Sequence, residues 1–350
     1  MSKRVSRRDF LRLTAAGLGA AAGGRLLAAC SPATVPTSTP TIVSTAVSGL
    51  RRPEIIKMYP AAPSRVVHTH HAGVWSGNSL QPEALKQMLD ASITKLTGLT
   101  DALAAWQALF APTERIAIKV NTLQYGLFWT HVPLVMALVE RLQAAGVPAE
   151  QVVIYDRLSS DLAGGGFTIN RDGPGARCYG TDQAYTRQWE LLGTTVGLSD
   201  VLLSCDALID MPILKTHIAD GGGMSFALKN HYGTFDQPSN FHNERLLTGL
   251  PALNALAPIK DRTRLIVGDA LKVVQQNPYL AFEGDSICIS FDPVAHDTQG
   301  LQILTGLQDA NDLESGATRQ LAIPWLQNAA DLGVGANLPD QIEFIEEKLS

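Results

Sequence analysis

Short apolar runs alternate with amphipathic stretches along the chain, and this pattern predicts an α/β fold. Arg65-Val66-Val67-His68 reads as a first strand. From Pro82 to Thr97, Leu85, Met88, Leu89 and Ile93 fall on one face, with proline in the first turn, so the stretch reads as a helix. Asp101 to Phe110 reads as a second helix, with Thr100 as its N-cap. Arg115 to Val120 is expected to be a strand ending at Asn121. A helix from Pro133 to Ala145, stopped by Gly146, should lead to a strand from Gln151 to Tyr155 that ends at Asp156. Residues 157–198 are irregular in pattern. Ala207 to Pro212 reads as a buried strand, followed by a glycine-rich loop and a short helix over Met224 to Lys229. Arg264 to Gly268 reads as a strand ending at Asp269, and Ile287 to Ser290 as another that leads into a helix from Pro293 to Gly306. The tail, Asp340 to Leu349, reads as a charged amphipathic helix. The expected body, residues 53–350, is a mostly parallel or mixed sheet flanked by helices, in one or two lobes.

Polar residues recur at the carboxyl ends of these strands: Asn121, Asp156, Asp269, and Lys215 just beyond Pro212. In open α/β sheets the binding crevice lies at those ends. Any one such residue can equally begin a turn or cap a helix.

The first residues have a different character. Ser6-Arg7-Arg8-Asp9-Phe10-Leu11-Arg12 has the paired arginines of a twin-arginine export signal, and a Gly/Ala/Leu stretch from Leu13 to Ala29 suits the apolar part of such a signal. Leu27-Ala28-Ala29-Cys30 resembles a lipobox, which makes Cys30 the expected lipidation site. Ser, Thr, Pro, Ala and Val dominate residues 31–52, a composition unable to bury a core, so this stretch reads as a flexible tether. The expectation is an extracytoplasmic protein exported by the twin-arginine translocase and held on the membrane, on its periplasmic or cell-surface side, by a lipid.

Charge sharpens the picture. Without the first 29 residues the chain holds 22 basic and 32 acidic residues, a net charge of −10. That argues against nucleic acid as a partner, because a phosphate backbone demands a basic face. It argues equally against a polybasic membrane contact, leaving the anchoring to the lipid. Cys178, Cys205 and Cys288 are far apart and form no C-x-x-C, so a local iron–sulfur or zinc site built on cysteine is unsupported. One disulfide among them is open, with the pairing undetermined.

The densest chemistry lies between Asp210 and Thr234. Lys215, His217, Lys229, Asn230 and His231 surround Gly221-Gly222-Gly223 there. Glycines allow a backbone to approach a ligand and present N–H groups to an anion. Lysines bind phosphate or carboxylate, and become acid–base or covalent groups when their pKa is lowered. In Asp292-Pro293-Val294-Ala295-His296-Asp297, Asp292 suits a helix cap, whereas Asp297 is a candidate ligand group. Lys119 within an apolar strand calls for an anionic partner, Asp156, Asp269 or a ligand, and Asn121 should share its side. In His68-Thr69-His70-His71, alternation points His68 and His70 the same way, a spacing that suits a divalent metal. His231 is a further candidate ligand; His131 and His242 carry weaker signals. No G-x-S-x-G, H-E-x-x-H or P-loop lysine occurs.

Taken together, residues 64–310 resemble the DUF362 family. The resemblance rests on Ile118-Lys119-Val120-Asn121, Val153-Ile154-Tyr155-Asp156, Pro212-Ile213-Leu214-Lys215-Thr216-His217, Leu228-Lys229-Asn230-His231-Tyr232-Gly233 and the Asp292–Asp297 string. The family name carries no assigned chemistry. Some relatives bear a ferredoxin-like four-cysteine module, and this chain lacks those cysteines. Lys215 followed by Asn230-His231 is also similar to a pattern in the nickel-pincer lactate racemases. That resemblance implies Lys215 as cofactor attachment point and His231 as nickel ligand, but Cys205 stands where the racemases have a catalytic histidine.

Two functions fit these features. One is a membrane-tethered enzyme for a small anionic substrate, with Lys215, His217 and His231 as catalytic groups. Lys119, Asn121, Asp156, Lys229, Asn230, Asp269 and Asp297 would then bind the ligand. The other is a solute-binding or interaction lipoprotein without turnover.

Overall fold

The computed structural model describes residues 64–123 and 129–350. The expectations for Arg7, Arg8, Cys30 and the linker lie outside the described residues.

Among the described residues, ten strands form one mixed sheet. They are β1 (Ser64–His71), β2 (Ile116–Val120), β3 (Val152–Tyr155), β4 (Arg177–Cys178), β5 (Ala207–Met211), β6 (Ile213–His217), β7 (Gly223–Ser225), β8 (Thr263–Gln276), β9 (Tyr279–Ser290) and β10 (Ile342–Leu349). Their order in space is β10-β1-β9-β8-β5-β2-β3-β4, with β6 beside β8 and β7 beside β6. β8, β5, β2, β3 and β4 run parallel, whereas β9 is antiparallel to both β8 and β1. The parallel strands are buried on both faces, which is why Ile116-Ala117-Ile118 and Val152-Val153-Ile154-Tyr155 read as continuous apolar runs.

Strand alternation divides the interior into two cores. Ile116, Ile118, Val120, Ile154, Ile209 and Met211 face α1 (Pro82–Thr97), α2 (Ala102–Leu109) and α3 (Val132–Ala144). Ala117, Val153, Tyr155 and Leu208 belong to the other core. That core also takes Leu250 and Leu253 of α5 (Leu246–Ala255), Leu301 and Leu304 of α6 (Pro293–Ala310), and Trp325 of α7 (Gly316–Asp331). The four-residue α4 (Ala227–Asn230) lies under the same face. By the same alternation Lys119 and Asp210 point into this second face, in register on neighbouring strands.

Pro212 creates the opening that becomes the site. β5 pairs with β2 as far as Met211 opposite Val120. Proline has no N–H to continue a ladder. Its carbonyl accepts from Asp269 N at 2.8 Å, and the chain resumes as β6 along the second half of β8, leaving β2 behind.

Several expectations are corrected here. Residues 342–349 form an edge strand, in parallel register with β1 from Ser64 opposite Ile342 to His71 opposite Leu349. Their Glu and Lys content favours a helix, but tertiary pairing with β1 and packing of Ile345 and Leu349 on the first core win. The strand expected to end at Asp269 runs on to Gln276, so Asp269 sits mid-strand at the point where its neighbour changes from β5 to β6. The stretch read as a loop after Pro212 is β6, and the helix expected from Met224 starts at Ala227, after β7. Cys178, Cys205 and Cys288 are buried free thiols, so no disulfide joins them. Burial pushes Cys178 up to about 11 and Cys205 up to about 12, which leaves both unreactive. Among the described residues no helix is long and apolar enough to cross a membrane.

Candidate functional site

A cavity of about 290 Å³ opens at the carboxyl ends of β2 and β3 and along β6. Eight of the residues singled out in the sequence line it: Lys119, Asn121, Asp156, Lys215, His217, Lys229, Asn230 and, with the weaker signal, His242.

At its inner end stands a buried network. Lys119 Nζ donates to Asp156 Oδ1 at 2.7 Å and to the Val120 carbonyl at 2.7 Å. Asp156 Oδ1 also accepts from Arg157 N, and Oδ2 takes Thr122 N and Thr122 Oγ1 at 2.7 and 2.8 Å. Asn230 joins this pair to its surroundings. Its Oδ1 accepts from Lys119 Nζ and Asn121 Nδ2, each at 3.2 Å, and its Nδ2 donates to Asp210 Oδ1 at 2.6 Å. Burial pushes the Asp210 carboxyl well above the ordinary range, against the pull of the Asn230 hydrogen bond. Gly233 must be glycine: a Cβ there would come within 2.7 Å of Lys119 Nζ and closer still to Asp156 Oδ1.

The outer part of the cleft holds a second cluster. Lys215 and His217 share a side of β6 by alternation. Lys215 is 2% exposed, and its Nζ donates to Asn121 Oδ1 at 2.9 Å. Burial, reinforced by the charge of Lys229, brings the Lys215 ammonium from 10.5 down to about 7. Asp220 is the common counter-ion. Its carboxylate lies 2.6 Å from His217 Nδ1, 2.6 Å from Lys229 Nζ and 3.3 Å from His242 Nε2. Burial works against that carboxylate, but His217 and Lys229 outweigh it and hold its pKa below the usual range. Burial lowers Lys229, His217 and His242 as well, with Asp220 opposing in each case. Arg157 adds positive charge to the lining and Asp161 negative.

The remaining candidates are placed elsewhere. His231 is 2% exposed and lines a separate cavity of about 10 Å³ with Asn254 and Thr263. Its Nδ1 lies 3.4 Å from Thr234 Oγ1, and burial takes its pKa down to about 3. His231 and Lys215 therefore line different cavities. Cys205 is buried in the second core, its thiol donating to the Leu202 carbonyl. Asp269 accepts from His131 N and lies 2.7 Å from His131 Nδ1, away from the cleft. Asp297 accepts from Ala227 N and Leu228 N at 2.8 and 2.9 Å. It thus anchors the start of the turn that carries Lys229 and Asn230. Asp292 caps α6 through Val294 N and Ala295 N. His68 and His70 lie in β1, with β9 and β8 between them and β6.

The glycine run also differs from its expected role. A Cβ on Gly223, at φ +74°, would sit 2.5 Å from the Thr318 carbonyl, so this glycine answers to packing against α7. Gly222 N donates to Asp220 Oδ1 at 3.2 Å, within the protein's own cluster. Sequence reasoning missed Asp220 and Asp210. Asp220 had a signal, the His-x-x-Asp spacing before the glycines. His242 had only a weak one, and the turn over Pro238–Phe241 brings it back onto Asp220.

No curated protein matches the sequence. Among solved structures, the lactate racemase apoprotein from Thermoanaerobacterium thermosaccharolyticum aligns at 10% identity with a TM-score of 0.42. The alignment covers 70% of this chain and 58% of that one, so this chain spans under two thirds of its length. The model of a domain of unknown function, DUF362, matches residues 116–302, a stretch that contains every residue lining the cleft and leaves β1 and β10 outside. On that match, covering more than half of its length, the chain belongs to the DUF362 family.

Proposed function

We propose that the cleft is the active site of an enzyme for a small anionic substrate, with Lys215 as the acid–base group. The observation that carries this reading is a lysine buried to 2% exposure on the cleft wall with its pKa brought to about 7. At neutral pH such a group populates both amine and ammonium, which is what general acid–base work requires. Lys229 and Arg157 supply attraction for an anion at the mouth. Asn230 acts through others, holding Lys119, Asn121 and Asp210 in place. His217 stands beside Lys215 as a second proton carrier, oriented by Asp220.

Reductive ¹³C-methylation followed through a pH titration by NMR tests the reading, paired with thermal shifts against small carboxylates and phosphates. A Lys215 resonance titrating near 7, and an anion that stabilises the wild type but not Lys215→Met, are expected. Titration near 10.5 eliminates the acid–base role. Anion stabilisation without that low pKa favours the alternative, a solute-binding protein using the same cleft.

The cellular placement is read from Arg7, Arg8 and Cys30: export through the twin-arginine route and a lipid anchor on Cys30. Intact mass of the mature protein checks it. A processed chain beginning at Cys30 with a free thiol and no acyl mass contradicts the anchor.

A further inference from the structure

Near the sheet edge formed by β1 and β10, His68, His70 and Glu346 stand together. Alternation puts His68 and His70 on one face of β1, and the parallel register sets Glu346 of β10 beside His68. The two imidazole centroids are 4.2 Å apart, and the metal-ligating atoms of all three side chains lie within 4.8 Å of one another. Two imidazoles and a carboxylate form a donor set suited to borderline divalent transition metals.

His68 supplies an independent observation. It is 4% exposed, and its Nε2 lies 3.0 Å from Ser286 Oγ. The Ala270 carbonyl, 3.4 Å from that hydroxyl, offers an acceptor for its proton. With its proton there, the hydroxyl can accept from His68 Nε2–H, the assignment that leaves a lone pair on Nδ1. Nδ1 is buried and meets no hydrogen-bond partner among the described residues. Native structures rarely leave such an atom unsatisfied. Stacking on Phe344, with centroids 5.9 Å apart, accounts for the packing of the ring but not for this nitrogen. Ser286 gives His68 the outer hydrogen bond by which proteins orient ligating histidines.

We propose that His68 Nδ1, His70 and Glu346 bind one divalent transition metal ion, which clips the C-terminal strand β10 to β1. His70 is half-buried and Glu346 exposed, so the outer side of the ion stays open to water. The site is independent of the cleft, from which β8 and β9 separate it.

The test is calorimetric titration of the chelator-treated full chain with Zn²⁺. One equivalent should bind and raise the melting temperature. His70→Asn and Glu346→Gln should each weaken binding by about tenfold or more, while Lys215→Met leaves it unchanged. Both ligand variants change side chains on the outer side of the cluster, and their metal-free melting temperatures confirm folding. The proposal is overturned if no equivalent of Zn²⁺ binds, or if an equivalent binds with the same affinity in both ligand variants.

Discussion

Two lysine–aspartate pairs line the same cleft and behave differently. In the Lys119–Asp156 pair, at 2.7 Å, the carboxylate takes donors from Lys119, Thr122 and Arg157, and Asn230 accepts from the ammonium. In the Lys229–Asp220 pair, at 2.6 Å, the carboxylate is shared with His217 and His242, both titratable. Lys215 lies between the two. A buried ion pair with its hydrogen bonds complete holds strands in place, whereas one shared among titratable groups redistributes charge when a ligand arrives. The first pair is a strut and the second a responsive head.

Five substitutions test that contrast. Lys119→Met should have the largest effect, a loss of about 3–5 kcal/mol in denaturant unfolding, because it leaves Asp156 buried without its cation. A loss under 1 kcal/mol would remove the strut from the picture. Lys215→Met should act in the opposite sense, stabilising the fold by about 1–4 kcal/mol at pH 6. The sign follows from proton linkage. The folded pKa of about 7 lies below the unfolded 10.5, so the unfolded chain binds the extra proton between these values. Stability therefore falls as pH drops from 10.5 to 7 and levels off below 7. The gain from Lys215→Met should be full below pH 7 and vanish above about 10.5. A gain that does not change with pH contradicts the buried, low-pKa lysine.

Gly233→Ala should cost about 1–3 kcal/mol by crowding Asp156 and Lys119. Its melting curve should resemble a mild Lys119→Met, with Lys215 titration unmoved. The smallest effects concern the head itself. Lys229→Met removes a charge that lowers Lys215 and should raise its NMR titration midpoint, whereas Asp220→Asn removes one that raises it and should lower the midpoint. Shifts in the same direction for both would show that desolvation changes dominate over charge.

The elements with strong local patterns were readable from the chain: α1 from its apolar stripe, β2 and β3 from their unbroken apolar runs, and the cap at Asp292. Lys119 was readable as part of a buried pair because a lysine between Ile118 and Val120 demands an anion, and Asp156 is that anion. The tail was misread because Glu343, Glu346, Glu347 and Lys348 suit a helix locally, and only the free edge of β1 made them a strand. Asp269 was misread because its strand changes neighbours there without any break in its own apolar pattern.

Local sequence was enough to assign the chemistry available to the cleft: lysines, histidines and carboxylates at strand ends, in segments whose period set which face each side chain takes. That is local information, carried by alternation and by the cost of burying an unpaired charge. How those groups were divided depended on the assembled fold. It gave Asp156 to Lys119 and Asp220 to Lys229, turned His231 toward a different cavity, spent Asp297 on the backbone of α4, and set Glu346 beside His68 from the far end of the chain. Pairings between residues so distant in sequence depend on strand order and register, and these are set by the packing of both cores together rather than by any one segment.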